Sequence, residues 1–324
     1  MQGKEPSKQE TSQITAGVDV SKGWLDAHVL PADERLRVPN AAVGIAKLKR
    51  WLVRRNVDLV AVEATGRWHR LLCRGLHASH IPVAVTDPYR VRQFAKAQGI
   101  AAKTDQIDAC VLARFAMVMA PPVRGPVPQV LEALQELVTA RQSAVAEQTA
   151  LKNQQCAAES AFLKRQLARR VLRLKADIKA IERESLKHIA ADPQLARRFA
   201  ILTSIPSIGP VVAITLMACL SELGALGQKQ IGSLAGLAPV ADDSGQRRGR
   251  RSIWGGRAIV RTMLYLAAVT ASRSNDDMKA FYNRLTLTKP PKVALLAIAR
   301  KLALLANTLI ANDRLWLATP PASA

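Results

Sequence analysis

The chain has 324 residues, of which 49% are hydrophobic, so it is long enough for two or three domains with buried cores. Its 47 Lys and Arg residues outnumber 25 Asp and Glu residues, which gives a formal net charge of +22 at pH 7. A charge this large repels itself in the folded protein and is typical of chains whose partner is a polyanion, so nucleic acid is the predicted partner. A membrane surface is disfavoured, because no segment combines a basic face with aromatic anchors.

The cysteines and the apolar runs indicate the compartment. Residues 1–13 are polar, lack the apolar stretch of a signal peptide and are predicted to be a disordered tail. The apolar run over residues 208–220 is too short to span a bilayer, and the C-terminal apolar run is interrupted by Arg300 and Lys301. Four cysteines without ligand-like spacing are predicted to be core residues of a reduced, cytoplasmic protein: Cys73, Cys110, Cys156 and Cys219.

Residues 14–125 are predicted to form an α/β domain. Three strands, ITAGVDV, WLDAHVL and RLRV, form an antiparallel meander. A helix, the β-rich run DLVAVEATG that ends in Gly66, a second helix, the strand IPVAV and two further helices then follow, with the helices over about residues 44–56, 68–78, 89–97 and 104–119. By analogy, this is the element order of the ribonuclease-H-like fold to which RuvC belongs.

Residues 126–194 are predicted to be a long helical hairpin packed as an antiparallel coiled coil. No proline or glycine occurs between Pro128 and Pro193, and four apolar residues fall close to heptad spacing: Leu131, Leu134, Val138 and Val145. Leu163, Leu167, Leu174 and Ile178 do so further on. A solvated spacer is the favoured role, while oligomerisation or an arm lying on nucleic acid would use the same composition.

Residues 195–318 are predicted to form a mainly helical domain. It opens with ILTSIPSIGPVVAITLMACL, whose helix, short loop and helix resemble a helix-hairpin-helix that turns glycine amides towards a phosphate. Two core helices joined by a Pro-Gly turn would look similar. Amphipathic helices then continue up to a Pro-Pro tail.

Four carboxylates carry the predicted chemistry. Asp19 interrupts the first strand between two valines, where burying a charge on a sheet is costly unless the charge has a partner or a function. Glu63 comes near the end of the fourth strand. Asp105 and Asp108 are three residues apart and share one face of a helix. Mg²⁺ takes oxygen ligands, and phosphoryl transfer needs several carboxylates in one cavity, so the four together predict a magnesium site.

Each carboxylate also has a structural interpretation. Asp105 suits a helix N-terminus, Asp108 suits an exposed helix face, Glu63 suits a cap of the next helix, and Asp19 suits the solvent side of its strand. Each of these is about as good as the catalytic interpretation taken singly. Their joint placement on the expected elements favours the metal site.

The stretch DDSGQRRGRRSIWGG, residues 242–256, places Ser244 between two acids and a group of arginines. Asp, Ser and Gly in succession favour a turn, and the two acids are predicted to shape it. A solvated basic face is the structural interpretation of the arginines, and contact with phosphate oxygens is the functional one. The residues predicted to contact nucleic acid are Arg247, Arg248, Arg250 and Arg251.

The motifs GVDVSK, VEATG, KTDQIDA, IPSIGPVVA, GLAPVADDSGQRRGRR and GGRAIVRTMLYLAA resemble the DEDD transposases of bacterial insertion sequences, the one-ten family that includes Piv-type DNA invertases. The resemblance covers nearly the whole chain. It implies a RuvC-like domain, a coiled-coil linker and a transposase domain that carries a serine. It also implies that Asp19, Glu63, Asp105 and Asp108 hold Mg²⁺ and that Ser244 is the nucleophile.

The resemblance further implies partners. Members recombine double-stranded donor and target DNA under the direction of a structured noncoding guide RNA, the bridge RNA, and act as homo-oligomers, a dimer or a dimer of dimers. The protein is therefore expected in the bacterial cytoplasm, at the nucleoid, with no membrane partner. Two other functions stay open from the residues alone: a resolvase-like nuclease that activates water, and a non-catalytic architectural protein.

Overall fold

The computed structural model describes residues 13–64, 66–102, 104–241, 243–245, 249 and 251–317. The chain divides into two compact units, Met1–Val127 and Pro128–Ala324. All but the last residue of the predicted disordered tail lie outside the described residues.

The first unit is a five-stranded sheet with helices. Its strands are β1 (Thr15–Val20), β2 (Trp24–Leu30), β3 (Glu34–Pro39), β4 (Leu59–Glu63) and β5 (Val83–Thr86), and its helices are α1 (Ala42–Val53), α2 (His69–His77), α3 (Pro88–Ala97) and α4 (Asp105–Met119). The strand order is β3-β2-β1-β4-β5, with β1 antiparallel to β2 and parallel to β4. This unit contains each predicted strand and helix, and a mixed α/β sheet is thereby confirmed.

Successive side chains of β1 point to opposite faces of the sheet, as strand geometry requires. Ala16, Val18 and Val20 are buried in the cluster that includes residues of α1 and α2. On the other face Gly17 lies against α4, where a Cβ would stand 2.1 Å from the carbonyl oxygen of Ala109. The absence of a side chain at this residue is what lets α4 lie directly on β1.

The second unit is mostly helical. Its helices are α5 (Gln129–Ala157), α6 (Ala161–Ala190), α7 (Pro193–Ser204), α8 (Pro210–Cys219), α9 (Gln228–Leu234), α10 (Ala258–Ser274), α11 (Asp276–Thr286) and α12 (Pro291–Ala311), and its two short strands are β6 (Pro239–Val240) and β7 (Ser252–Ile253). The mainly helical C-terminal part is therefore confirmed.

The long helices α5 and α6 pack on each other over a small apolar cluster that includes Leu151 and Leu167, and Arg141 pairs with Glu182 at 2.7 Å. Leu163, expected in the seam, is exposed, because it lies in the first turn of α6. The two helices fall in the same compact unit as the C-terminal helices, and Leu134 and Val138 of α5 belong to the main core of that unit. The supercoil and the helix-hairpin-helix at α7 and α8 stay predictions.

Helix α12 is long and apolar enough to cross a membrane by length and composition. Half of its apolar stretch is nevertheless buried inside the protein, where Ile298, Leu302 and Leu309 join the helical core. It therefore has the character of a core helix. Among the cysteines, Cys73 is buried and Cys110 and Cys219 are partly so, whereas Cys156 is exposed on α5, so its predicted core position is wrong.

Candidate active site

Asp19 and Glu63 are neighbours at the carboxyl ends of two parallel strands. Val18 of β1 is in register with Val62 of β4, so the residues that follow them, Asp19 and Glu63, come next to each other on one face of the sheet. This is the face on which Gly17 meets α4. Both carboxylates are partly buried.

Asp105 and Asp108 lie in the first turn of α4. Thr104 caps this helix, because its hydroxyl oxygen accepts a hydrogen bond from the backbone N–H of Ile107 at 3.3 Å. Asp105 is exposed and Asp108 is partly buried. The close packing of α4 on β1 at Gly17 aligns this first turn with the end of the sheet that carries Asp19.

The electrostatics show that all four carboxylates share one neighbourhood. Burial, and after it the negative charges of Asp108, Asp105 and Glu63 in that order of size, together raise the pKa of Asp19 from the ordinary 3.8 to about 6. A carboxyl group whose pKa is raised by three other carboxyls is a group that a cation would stabilise. The site therefore carries repulsion that folding tolerates and that a bound cation would relieve.

Two residues of this region were missed by the sequence interpretation. Asp26 of β2 is paired in register with Asp19, and Arg37 of β3 is paired with Asp26, so the three side chains form a row on the same sheet face. Arg37 lies 3.7 Å from the Asp26 carboxylate and 3.8 Å from that of Asp105, and its guanidinium stacks over Trp24 at 5.1 Å. The available signal was a second charge inside an apolar strand, WLDAHVL.

The donor set suits a hard cation, because carboxylate oxygens are the ligands that Mg²⁺ takes in proteins. Within the described residues, no group of three or more His, Cys, Asp and Glu side chains stands as close together as the ligands of one metal ion. The four carboxylates are thus electrostatic neighbours without being a preformed cage.

Ser244 lies in an exposed loop of the second unit. Strands β6 and β7 pair antiparallel, with Val240 opposite Ser252, and the loop between them carries Ser244. The side chain of Asp243 accepts a hydrogen bond from the backbone N–H of Gly249 at 3.0 Å, so it bridges the two sides of this loop. Asp243 shapes the turn, as predicted.

The base of the loop is fixed to the helical core. Gly256 and Gly236 are in backbone contact, since a Cβ on Gly256 would stand 2.3 Å from the Gly236 nitrogen. Arg257 donates two hydrogen bonds to the Glu222 carboxylate, at 2.6 and 2.7 Å, and a third to the carbonyl oxygen of Cys219 at 2.9 Å. Residues 243–245 of the loop are thus exposed, while its base is held by a charge-assisted pair.

The structure describes only part of the predicted arginine cluster. Arg251 is exposed beside β7. The others lie outside the described residues, as does one of the two acids before Ser244: Arg247, Arg248, Arg250 and Asp242.

Comparisons with known proteins find transposase similarity in both units of the chain. A family model described as Transposase matches residues 16–158, and another, described as Transposase IS116/IS110/IS902 family, matches residues 199–283. The pilin gene-inverting proteins of Moraxella bovis and Moraxella lacunata are each 25% identical over 94% of this chain and 97% of their own. An uncharacterised 44.8 kDa protein of insertion element IS116 from Streptomyces clavuligerus is 31% identical over 48% of this chain and 39% of its own. The chain belongs to the IS116/IS110/IS902 family of transposases.

Proposed function

We propose that this transposase cuts and rejoins DNA strands with Mg²⁺ held by Asp19, Glu63, Asp105 and Asp108, and with Ser244 as the nucleophile. The observation that carries the proposal is the raised pKa of Asp19, whose causes are burial and the other three carboxylates. The ribonuclease-H-like assignment of the first unit belongs to the same proposal, and the strand order β3-β2-β1-β4-β5 supports it.

Each carboxylate has a defined task. Asp19 and Glu63, on neighbouring strands, would hold the metal from the sheet, and Asp105 and Asp108 would hold it from the helix. When bound, Mg²⁺ supplies a positive charge that stabilises the developing charge on the scissile phosphate. Because protonation removes a ligand, the raised pKa of Asp19 implies that metal binding weakens as the pH falls below about 6.

The serine step conserves the energy of the phosphodiester bond. The bond from Ser244 Oγ to phosphorus forms, the bond from phosphorus to the leaving deoxyribose oxygen breaks, and the proton lost by the serine ends on that oxygen. A free hydroxyl of another strand then displaces the serine, which regains its proton, so strands are rejoined without ATP. The exposure of Ser244 in an anchored loop supports this role, since a nucleophile that attacks DNA must be accessible from solvent.

The proposal includes a structured guide RNA and a homo-oligomer, a dimer or a dimer of dimers. The net charge of +22 is compatible with an RNA partner besides DNA. Subunits with Asp105→Ala mixed with subunits with Ser244→Ala would regain some recombination if one site takes its metal ligands and its serine from different chains. No recovery in verified mixed oligomers would contradict a shared site.

The test is to trap the covalent intermediate. A DNA substrate nicked near the cleavage site is incubated with the full chain, its guide RNA and Mg²⁺, and the digested products are mapped by mass spectrometry. We expect DNA on the peptide that contains Ser244 and none with Ser244→Ala. The matched control is Ser252→Ala, a serine of β7 in the same hairpin, which should still form the adduct.

The same experiment separates the other functions. A metal-dependent nuclease of the resolvase type would leave cut strands without an adduct, and an architectural protein would shift intact DNA. Recombination by Ser244→Ala, or an adduct on another residue, would assign Ser244 to the turn alone. Asp19→Ala with near-normal cleavage in Mg²⁺ would contradict the metal site.

A further inference from the structure

Helices α10, α11 and α12 line an open cavity of about 340 Å³ at the surface of the second unit. This volume lies in the range of small-ligand sites, about 300–1,000 Å³. The cavity belongs to neither the carboxylate site nor the Ser244 loop. It is lined by Val269, Ser272, Arg273, Lys279, Tyr282, Asn283 and Leu295.

The lining combines two cations with an aromatic ring and an amide. Val269 and Leu295 supply apolar surface, and Tyr282 is half-buried against the helical core. Arg273 and Lys279 are exposed, and within the described part of the chain neither has a carboxylate partner within 4.0 Å. Their charges are therefore available to a ligand.

The surroundings add to the positive charge. On α11, next to Tyr282, the ring of Phe281 lies under Lys301 at 5.0 Å and under Arg284 at 5.4 Å. Residues 258–311, which contain these three helices, have eight Lys and Arg residues and two acidic ones. The field at the mouth of the cavity favours an anion.

We propose that this cavity binds one unpaired nucleotide of a nucleic-acid strand. Arg273 and Lys279 suit its phosphate, the ring of Tyr282 suits stacking against the base, and the amide of Asn283 suits a hydrogen bond to the base edge. A base inside a duplex is already stacked on both sides, so only an unpaired one can enter. The proposal uses the family's action on DNA but not the metal site or the serine.

The first test locates the base. Single-stranded DNA of about twelve nucleotides with one 5-iodouracil is bound to the full-length protein in EDTA, which keeps any metal chemistry silent, and is then irradiated. Trypsin cuts after Lys279 and Arg284, so the adduct is expected on the peptide Ala280–Arg284. Tyr282→Phe, which keeps the ring, should retain the adduct, and Tyr282→Leu should lose most of it.

The second test measures the phosphate contacts. For single strands the log–log salt slope of binding changes by about 0.7 per contact, so Arg273→Gln with Lys279→Gln should flatten it by about 1.4. The matched control is Lys289→Gln with Lys292→Gln, which removes the same charge from exposed lysines of the same region that do not line the cavity. The control should change the slope less.

Parallel labelling experiments with DNA and with RNA identify the kind of nucleic-acid strand that supplies the nucleotide. Stronger labelling by single-stranded DNA assigns the nucleotide to a DNA substrate, and stronger labelling by the same RNA sequence assigns it to an RNA partner; either supports the site. If a fully paired duplex labels the protein as strongly as a single strand does, the proposal that the nucleotide must be unpaired is wrong. An absent adduct on Ala280–Arg284, or equal slopes for the two double variants, would overturn the site itself.

Discussion

Asp26 on β2 lies directly opposite Asp19 on β1, so two carboxylates face the same side of the sheet at the candidate metal site. Asp26 is only 5% exposed, and Arg37 supplies its positive counter-charge. Because Arg37 also pairs with Asp105, a buried carboxylate outside the predicted four is linked to one of its members. Asp26 and Arg37 are therefore expected to position Asp105.

Replacing Asp26 by Asn keeps the shape of the side chain and removes the charge that shares Arg37. Arg37 then pairs more fully with Asp105, which becomes a poorer metal ligand. We expect the affinity for Mn²⁺, a probe of the Mg²⁺ site, to fall about tenfold without DNA, because Arg37 then competes with the cation for Asp105, and changes in the residues around metal ligands typically cost about this much. Calorimetric titration measures it. Asp33→Asn, at a 70% exposed carboxylate, is the control that should bind as the wild type does.

The pH dependence of metal-free stability follows from Asp19. Its pKa is raised by burial and by three carboxylates to about 6, above the ordinary 3.8, so the folded state holds this proton more tightly than the unfolded state. The contribution of Asp19 to the free energy of unfolding should therefore fall as the pH rises from about 4 to about 6 and level off above that. Urea denaturation in EDTA should show this loss relative to Asp19→Asn. If the free energies of unfolding of the wild type and of Asp19→Asn change with pH in parallel, the prediction is wrong.

Gly17 tests the contact that places α4 on the sheet. In Gly17→Ala the new methyl group would stand 2.1 Å from the Ala109 oxygen and 2.3 Å from the Ala113 nitrogen, both of them backbone atoms that cannot rotate away. We expect a loss of about 1–3 kcal/mol in the free energy of unfolding and weaker Mn²⁺ binding, because α4 carries two of the four carboxylates. Gly23→Ala, where nothing lies within 4 Å, should leave both unchanged.

The pair between Arg257 and Glu222 tests the anchor of the serine loop. Arg257→Gln should lower the free energy of unfolding by about 2 kcal/mol and reduce formation of the Ser244 adduct, while Mn²⁺ binding stays intact. With Glu222→Gln added, the double variant should be little worse than either single one. Glu184→Gln, which breaks an exposed pair with Lys187, should cause no measurable change. Additive effects at the first pair would argue against coupling.

Local sequence determined most elements of the first unit. Short runs rich in apolar and β-branched residues marked β1, β2 and β4, and the runs between glycines and prolines marked the helices, because these signals depend on neighbours in the chain. The same locality explains the error at Leu163. Heptad spacing continues into the first turn of α6, but only packing decides whether that turn is covered.

Tertiary structure decided which residues meet. The order β3-β2-β1-β4-β5 and the register bring Asp26 opposite Asp19 and Arg37 opposite Asp26, and no spacing within one strand encodes a pairing between strands. The cavity at Arg273 and Tyr282 likewise depends on three helices packing together. The sequence alone determined the residue types, the charge and the family motifs. Proximity, burial and the pKa of Asp19 arose only from the folded chain, because the field at a carboxylate depends on residues distant in sequence.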